Sequence, residues 1–479
     1  MDGLMRQPAK RRRTCAGLAR ALVLGAALPL AACVLPAADI PPSSVVVPAA
    51  FEQGAGRGVP QAAGDLSQWW KVWRDAALDD LVRAALDSNT DIRIAETRVA
   101  EARSLVTIAE SALYPTVAAD GGLWRSKINV QSPPALSGRT IGFDGYWGGL
   151  GASWEPDIFG GRHADAEAAR AAEAGAEERL NGARMTVAAD VAENYFEARG
   201  LQMRLAVLDR GIATIEQLQR YVEARYVAGH ALAYDVDLVR EKLAAQRAKR
   251  PPLASLFDMR RRRLAVLAGA PPEAAPDLAP GHLFIVPPPP KGLPVEMLER
   301  RPDVRAQADL VAANAARLRS AKADLLPRFG VEFLGGDGRL HFDGLPGLSG
   351  TGGLVALTAY LPIFTAGRIQ ANIAASDARL VGAVADYDKA VLKALEDVEN
   401  AYGLRNALDR RHKLLLAALA AARRNEQVAV GLYEGGRKTM QDVLDARINA
   451  LNDEDERVQV EMGQATATVQ LYRALGGGW

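Results

Sequence analysis

The chain has 479 residues, 49% of them hydrophobic, 24% charged and only 6% aromatic; that length allows a large core or several domains, and the wealth of good helix formers favours long helices. The formal charge of +1 hides an asymmetry: residues 1–32 carry Arg6, Lys10, Arg11, Arg12, Arg13 and Arg20 against Asp2, and removing that +5 leaves −4. The mildly acidic remainder lacks the basic face that nucleic-acid binding needs.

In chain order, the first element reads as a leader. The uncharged run from Ala21 to Ala32 follows the basic cluster. It has the length of a signal-peptide core and is too short for a membrane span of about 20 apolar residues. Leu30-Ala31-Ala32-Cys33 resembles a bacterial lipobox. On that pattern residues 1–32 are a lipoprotein signal peptide, and Cys33 carries S-diacylglycerol and N-palmitoyl groups that anchor it, each buried CH₂ contributing about 0.8 kcal/mol. Val34, where an aspartate would signal inner-membrane retention, points to outer-membrane sorting. The alternative is an ordinary secretory signal in which Cys33 is incidental. Residues 33–65, rich in proline, alanine and glycine, read as a lipidated extended tether. Loss of Cys15 with the leader and blocking of Cys33 leave no disulfide.

The remainder is a duplication. Asp91-Ile92-Arg93 matches Asp303-Val304-Arg305, and Pro115 matches Pro327, both at an offset of 212. Pro156, Gly161, Arg162 and Glu193-Asn194 recur 206 later, while Tyr226, Gly229 and Asp235 recur 207 later as Tyr433, Gly436 and Asp442. The repeats are placed at 66–285 and 286–479, joined through the proline-rich stretch 271–294. Each begins with a helix pair (66–87 and 89–113; 293–300 and 303–325) that stops at Pro115 or Pro327. Two strands follow in each repeat, 116–128 with 145–156 and 327–336 with 352–364, separated by loops at 129–145 and 337–351. Tyr146, Leu150, Ala152 and Trp154 share one face, as do Phe329, Val331 and Phe333. The other two segments alternate poorly. Then come proline-free stretches from Gly160 to Gly229 and from Gly367 to Gly436, each spanning 69 residues. Each would reach roughly 100 Å as a helix, too long for a globular core, so the helices must pack as a coiled-coil-like bundle. At Gly229 and Gly436 the chain reverses.

Four strands leave two free edges, which lipid does not tolerate. Three copies would supply twelve strands and a closed ring. No catalytic motif competes with this reading. "GLYEGGRKT" (431–439) approaches a phosphate-binding loop, but Arg437 takes the lysine place and no strand precedes it. The five histidines are scattered without ligand spacing, so neither enzyme activity nor a metal is expected.

These features, in this order, resemble the TolC-like outer-membrane efflux factors, in their lipoprotein branch. The segments that carry the resemblance are "WWKVWRDAALDDLVRAAL" (69–86), "ASWEPDIFGGR" (152–162), "LPVEMLERRPDVR" (293–305), "LPIFTAGR" (361–368), "QDVLDAR" (441–447) and "LYRALGGGW" (471–479). The resemblance implies a mostly α protein with membrane β: a homotrimer forming a twelve-stranded barrel continuous with a long periplasmic α-helical barrel. It also implies a passive exit duct coupled through a periplasmic adaptor to an inner-membrane pump of the RND type.

The resemblance further implies a periplasmic gate. Asp442 and Asp445, in the pattern G-x₅-D-x₂-D after Gly436, match the family's ring of aspartates. Six carboxylates from three copies would favour cation entry and raise one another's pKa. Tyr433 and Asp235 match latch positions, Lys438 replaces a family arginine, and Ile448 stands where some members carry another. Gly229 and Gly436 match the hairpin tips that meet the adaptor. The bland alternative for the aspartates is helix capping on a solvated face. For the whole chain the competing functions are a structural periplasmic coiled-coil lipoprotein and a type I protein-secretion exit duct.

Overall fold

The computed structural model describes residues 39–54, 66–130, 138–279, 285–290, 294–344 and 346–477. Cys33 and the leader lie outside the described residues. Among the described residues twelve main elements follow in order: α1 (Ala76–Ser88), α2 (Thr90–Ser111), β1 (Thr116–Val130), β2 (Arg139–Trp154), α3 (Gly161–Val227), α4 (Ala233–Leu267), α5 (Pro294–Arg300), α6 (Pro302–Ala323), β3 (Arg328–Phe342), β4 (Leu348–Tyr360), α7 (Arg368–Glu434) and α8 (Met440–Ala474). Short 3₁₀ turns at Leu66–Trp73 and Pro272–Ala274 complete the set. The duplication is exact in the length of the long helices, since α3 and α7 each have 67 residues and α4 and α8 each have 35. No helix among the described residues is long and apolar enough to cross a membrane. The chain divides into two units, the first containing Ala102–Glu173 and Leu310–Ala383, the second Ser43–Glu101, Ala174–Asp309 and Val384–Trp479.

The first unit holds a four-stranded antiparallel sheet in the order β1-β2-β3-β4. Its strands run 13 to 16 residues, through much of what the sequence suggests are loops. Only residues 131–138 and 343–347 remain between strands. Glycine and polar residues read as loop punctuation, yet here they are paired positions on a sheet. Gly145, for example, lies opposite Trp124 and lets the indole lie over it, for a Cβ there would come within 2.7 Å of the ring.

Unbroken pairing sorts the sheet into two faces, because directly opposed residues share a face. One row reads Trp154, Val331, Leu357; the next reads Val117, Ala152, Phe333, Val355; the next Ala119, Leu150, Gly335, Gly353. That stretch is uncharged and suits lipid. The reverse face over the same rows carries Asp120, Ser153, Glu332 and Thr358. The rows also refine the duplication. An offset of 206 would set Trp154 against Tyr360, which lies on the opposite face. An offset of 205 restores the match, pairing Leu150 with Val355, Ser153 with Thr358, Ile158 with Ile363 and Phe159 with Phe364.

The second unit is helical. Trp69, Trp70 and Trp73 are buried against α3 and α8, with Trp69 stacked on Tyr472 at 5.2 Å and Trp73 against Phe196 at 4.2 Å. Asp75 caps α1, accepting from the amides of Ala77 and Leu78, and also accepts from the Tyr195 hydroxyl at 2.6 Å. One tyrosine thus ties the start of α1 to the middle of α3. The linker is clipped to both repeats by equivalent arginines. Arg199 donates to the Ala279 carbonyl and, 206 residues later, Arg405 donates to that of Pro287. Helix α4 runs through Pro251 and Pro252, absorbing two missing amide donors.

The described part of the N-terminal stretch is extended, and it is pinned along α7. Ser43 and Ser44 donate three hydrogen bonds to the Asp388 carboxylate at 2.6, 3.1 and 2.6 Å. The amides of Glu52 and Gln53 donate to the two oxygens of Glu399 at 2.6 and 2.9 Å, and Asn406 donates to the Gln53 carbonyl at 3.0 Å. Phe51 is 3% exposed and packs in a cluster with Met297, Val391, Val398, Tyr402 and Leu475. These residues behave as a strap rather than a free tether.

Candidate functional site at the helical tips

The α3–α4 and α7–α8 reversals close with duplicate backbone geometry. Gly229 has φ 78° and Gly436 φ 71°, the left-handed conformation that glycine adopts without strain. His230 N donates to Arg225 O at 2.8 Å, and Arg437 N to Leu432 O at 2.8 Å, while the glycine amides close the inner turn onto Tyr226 and Tyr433. This is the Schellman closure, in which the amide two past the helix end bonds a carbonyl one turn back. The conformation alone demands glycine, since a Cβ at either position would meet nothing within 4 Å.

The return helices begin with matched caps. Asp235 accepts from the Leu232 amide at 3.0 Å, and Asp442 accepts from the Thr439 amide and hydroxyl at 2.8 and 2.7 Å. Lys438 Nζ lies 3.3 Å from Asp442. The Thr439 amide and hydroxyl, with lesser help from Lys438, hold Asp442 below the usual aspartate range. That direction is opposite to the rise expected from crowding of copies. It belongs to one chain, where capping governs. Asp445, one turn on, is exposed. It is the aspartate of the pair that takes no part in the cap.

Tyr433 meets Arg225 rather than Asp235. The Arg225 guanidinium sits 5.4 Å from the Tyr433 ring centroid and 5.8 Å from that of Tyr221. Its Nη2 donates to the His230 carbonyl and its Nη1 to the Tyr221 hydroxyl, both at 3.2 Å. Burial pushes the Tyr433 hydroxyl upward in pKa, against the pull of Arg225. Arg225 therefore spans both repeats at the tip, a role the sequence reading missed. The available signal was a basic residue in the last helical turn, where it favours the dipole and the terminal carbonyls. Beneath it an apolar cluster of Ile215, Val222, Val239, Ala429, Met440 and Leu444 joins the four helix ends. Of the predicted gate residues, Lys438 and Asp442 are brought together, Asp235 serves its own helix, and Tyr433 contacts the first repeat through Arg225.

The chain can now be set beside known proteins. It is 31% identical over 470 residues to the pyoverdine export outer membrane protein OpmQ of Pseudomonas putida, a match that covers 95% of this chain and 97% of that protein. It is 26% identical over 429 residues to the solvent efflux pump outer membrane protein SrpC of Pseudomonas putida, covering 89% and 90%. The solved structure of the outer-membrane channel OprN superposes with a TM-score of 0.84 at 28% identity, covering 92% of this chain and 99% of that one. A model of the outer membrane efflux protein family matches twice, over residues 81–270 and 293–477, once in each repeat. With both halves matched and the paired-strand, long-hairpin architecture in place, the chain belongs to the outer membrane efflux protein family.

Proposed function

We propose that this protein is the outer-membrane exit duct of a tripartite efflux system, passing small molecules from an inner-membrane pump, through a periplasmic adaptor, to the exterior. The observation that carries the reading is a sheet with an uncharged apolar band and two free edges, joined to a pair of 67-residue helices. The free edges call for copies of the chain, and a homotrimer gives twelve strands, enough for a lumen. The hairpin tips at Gly229 and Gly436 are the sites offered to the adaptor, and Asp442 and Asp445 ring the periplasmic mouth.

An RND-type pump fits the lipoprotein branch that the lipobox suggests. Cys33, with its diacylglycerol and palmitoyl chains, adds an anchor beside the barrel and sorts the protein to the outer membrane. The relatives' names, pyoverdine export and solvent efflux, favour small-molecule cargo over a polypeptide. No step requires chemistry on the cargo, so the duct acts without enzymatic activity.

The test is single-channel recording from purified oligomer in planar bilayers. Discrete conductance steps are expected. A membrane that stays sealed with assembled oligomer inserted would favour the structural coiled-coil lipoprotein instead.

A further inference from the structure

Where two helices of the second unit meet end to end, the chain places more charge than the junction needs. Helix α8 ends at Ala474 and α6 begins at Pro302, and Arg301 staples them by donating to the Ala474 carbonyl at 3.1 Å. Beside this junction, between α3 and α7, lies a cavity of about 770 Å³. That volume is in the range of small-molecule sites. The first repeat makes the same junction between α4 and α2, where Asn89 donates to the Leu267 carbonyl at 2.8 Å. There α3 contributes Val187 and Val191, 3% and 1% exposed. Their counterparts on α7, 206 residues later, are Lys393 and Asp397, and both line the cavity. An apolar face is enough to build the junction, so the charges call for another reason.

Four acids and four bases line the cavity, but they are not equally engaged. The buried Arg301 guanidinium takes Asp303 at 2.7 Å and Asp397 at 3.0 Å. Glu178 is held by Arg305 at 2.5 Å. On the basic side Arg179, Lys393 and Arg473 are exposed, and among the described residues none has an ion-pair partner within 4.0 Å. One acid is left over, Glu193, whose Oε1 is buried without a hydrogen-bond partner. Burial pushes its pKa up, against the pull of Arg473, so this carboxyl takes up a proton readily when an anion enters beside it.

We propose that this cavity binds a small organic anion carrying two or three carboxylate groups, gripped by Arg179 of α3, Lys393 of α7 and Arg473 of α8. Guanidinium groups pair with carboxylates through two parallel hydrogen bonds, and the lysine adds a point charge. The volume exceeds that of a bare inorganic ion, and Met185 and Leu404 on the wall offer apolar surface to an organic body. In a duct such a cavity would hold anionic cargo in passage, a consequence that rests on the duct reading; the binding itself does not.

The test is equilibrium dialysis of benzene-1,3,5-tricarboxylate against the full-length, detergent-solubilised protein at low salt. Saturable binding is expected. It should weaken about tenfold in Lys393→Gln and in Arg473→Gln, as loss of a charge-assisted contact does. It should be unchanged in Arg424→Gln, which removes an exposed charge elsewhere on α7. Circular dichroism confirms that each variant is folded. No binding to the folded wild-type protein, or equal loss in Lys393→Gln and Arg424→Gln, overturns the site, and saturable binding of spermidine in its place overturns the sign of the charge. A second measurement needs no variant. The tricarboxylate should slow acetylation of Lys393 by N-hydroxysuccinimide acetate, read by mass spectrometry, and leave the exposed Lys249 of α4 unaffected. An unaltered rate at Lys393 overturns the site. None of these readouts involves transport: a protein that binds the anion and fails to conduct would remove the duct reading and leave the site standing, and one that conducts without binding would do the reverse.

Discussion

At the scale of single residues, the two aspartates of the proposed mouth have separated roles. Asp442 is committed to the cap of α8, and its Thr439 partner contributes the side-chain acceptor for the Asp442 amide. Thr439→Ala should cost about 0.5–2 kcal/mol, as loss of an N-cap does, seen as faster amide exchange over the first turn of α8. The sign of the pH effect follows from the lowered pKa of Asp442. A depressed carboxyl contributes stability that is present above its unfolded value and is lost as pH falls through its folded value. The cap should therefore survive mild acid and fray only below the ordinary aspartate range. Thr439→Ala should move that fraying to higher pH. Asp445, exposed and outside the cap, is the cleaner probe of the proposed mouth. Asp445→Asn should reduce cation selectivity without loosening α8, and an unchanged reversal potential in a salt gradient would argue against a role in selection. Arg225 acts across the repeats. Arg225→Ala should release Tyr433 and loosen the tip, and Arg225→Lys should restore little because an ammonium lacks the planar fork that reaches Tyr221 and the His230 carbonyl together. Proteolysis at the tip reports the difference.

At the scale of elements, the strap shows how an apparently featureless segment becomes structure. Asp388, Glu399 and Asn406 are spaced along α7 so that an extended chain running beside it meets each in turn. Among the described residues the strap has no partner strand, so carboxylates and an amide take the place of a ladder in meeting its backbone. Phe51 supplies the apolar plug. Phe51→Ala should cost about 3–5 kcal/mol, typical of truncating a buried phenylalanine, and should be visible as a lower urea midpoint. Asp388→Asn with Glu399→Gln should free the strap to protease while leaving the helices folded. The strands carry the complementary lesson. Pro115 and Pro327 end their helices where the sequence suggests, because a proline's effect is local. The upper portions of β1 to β4 escaped notice because their glycines are strand positions made favourable by neighbours such as Trp124, which belong to another strand.

At the scale of the whole molecule, duplication organises everything described. It repeats helix lengths, tip closures, caps and the arginines that hold the linker, and the departures from it carry the information. Arg225 has Leu432 as its counterpart 207 residues on, so the tip latch is asymmetric. The long-helix face that is apolar at Val187 and Val191 is charged at Lys393 and Asp397. Replacing Cys33 bears on the same scale: Cys33→Ser should impair outer-membrane delivery in fractionated cells more than it impairs conduction by oligomers that do assemble.

By itself the sequence determined whatever depends on neighbours within a helical turn or on an internal repeat. That includes the order of helices and strands, the glycine reversals at Gly229 and Gly436, the proline stops and the family. Only the tertiary structure decided which residues meet across long separations. Arg225 finds Tyr433, Asp388 and Glu399 find the strap, and the strand register reveals that the repeats align at 205 within the sheet. Those contacts depend on how helices and strands are rotated about their axes. That rotation is set by the packing of the whole chain, which no local pattern encodes.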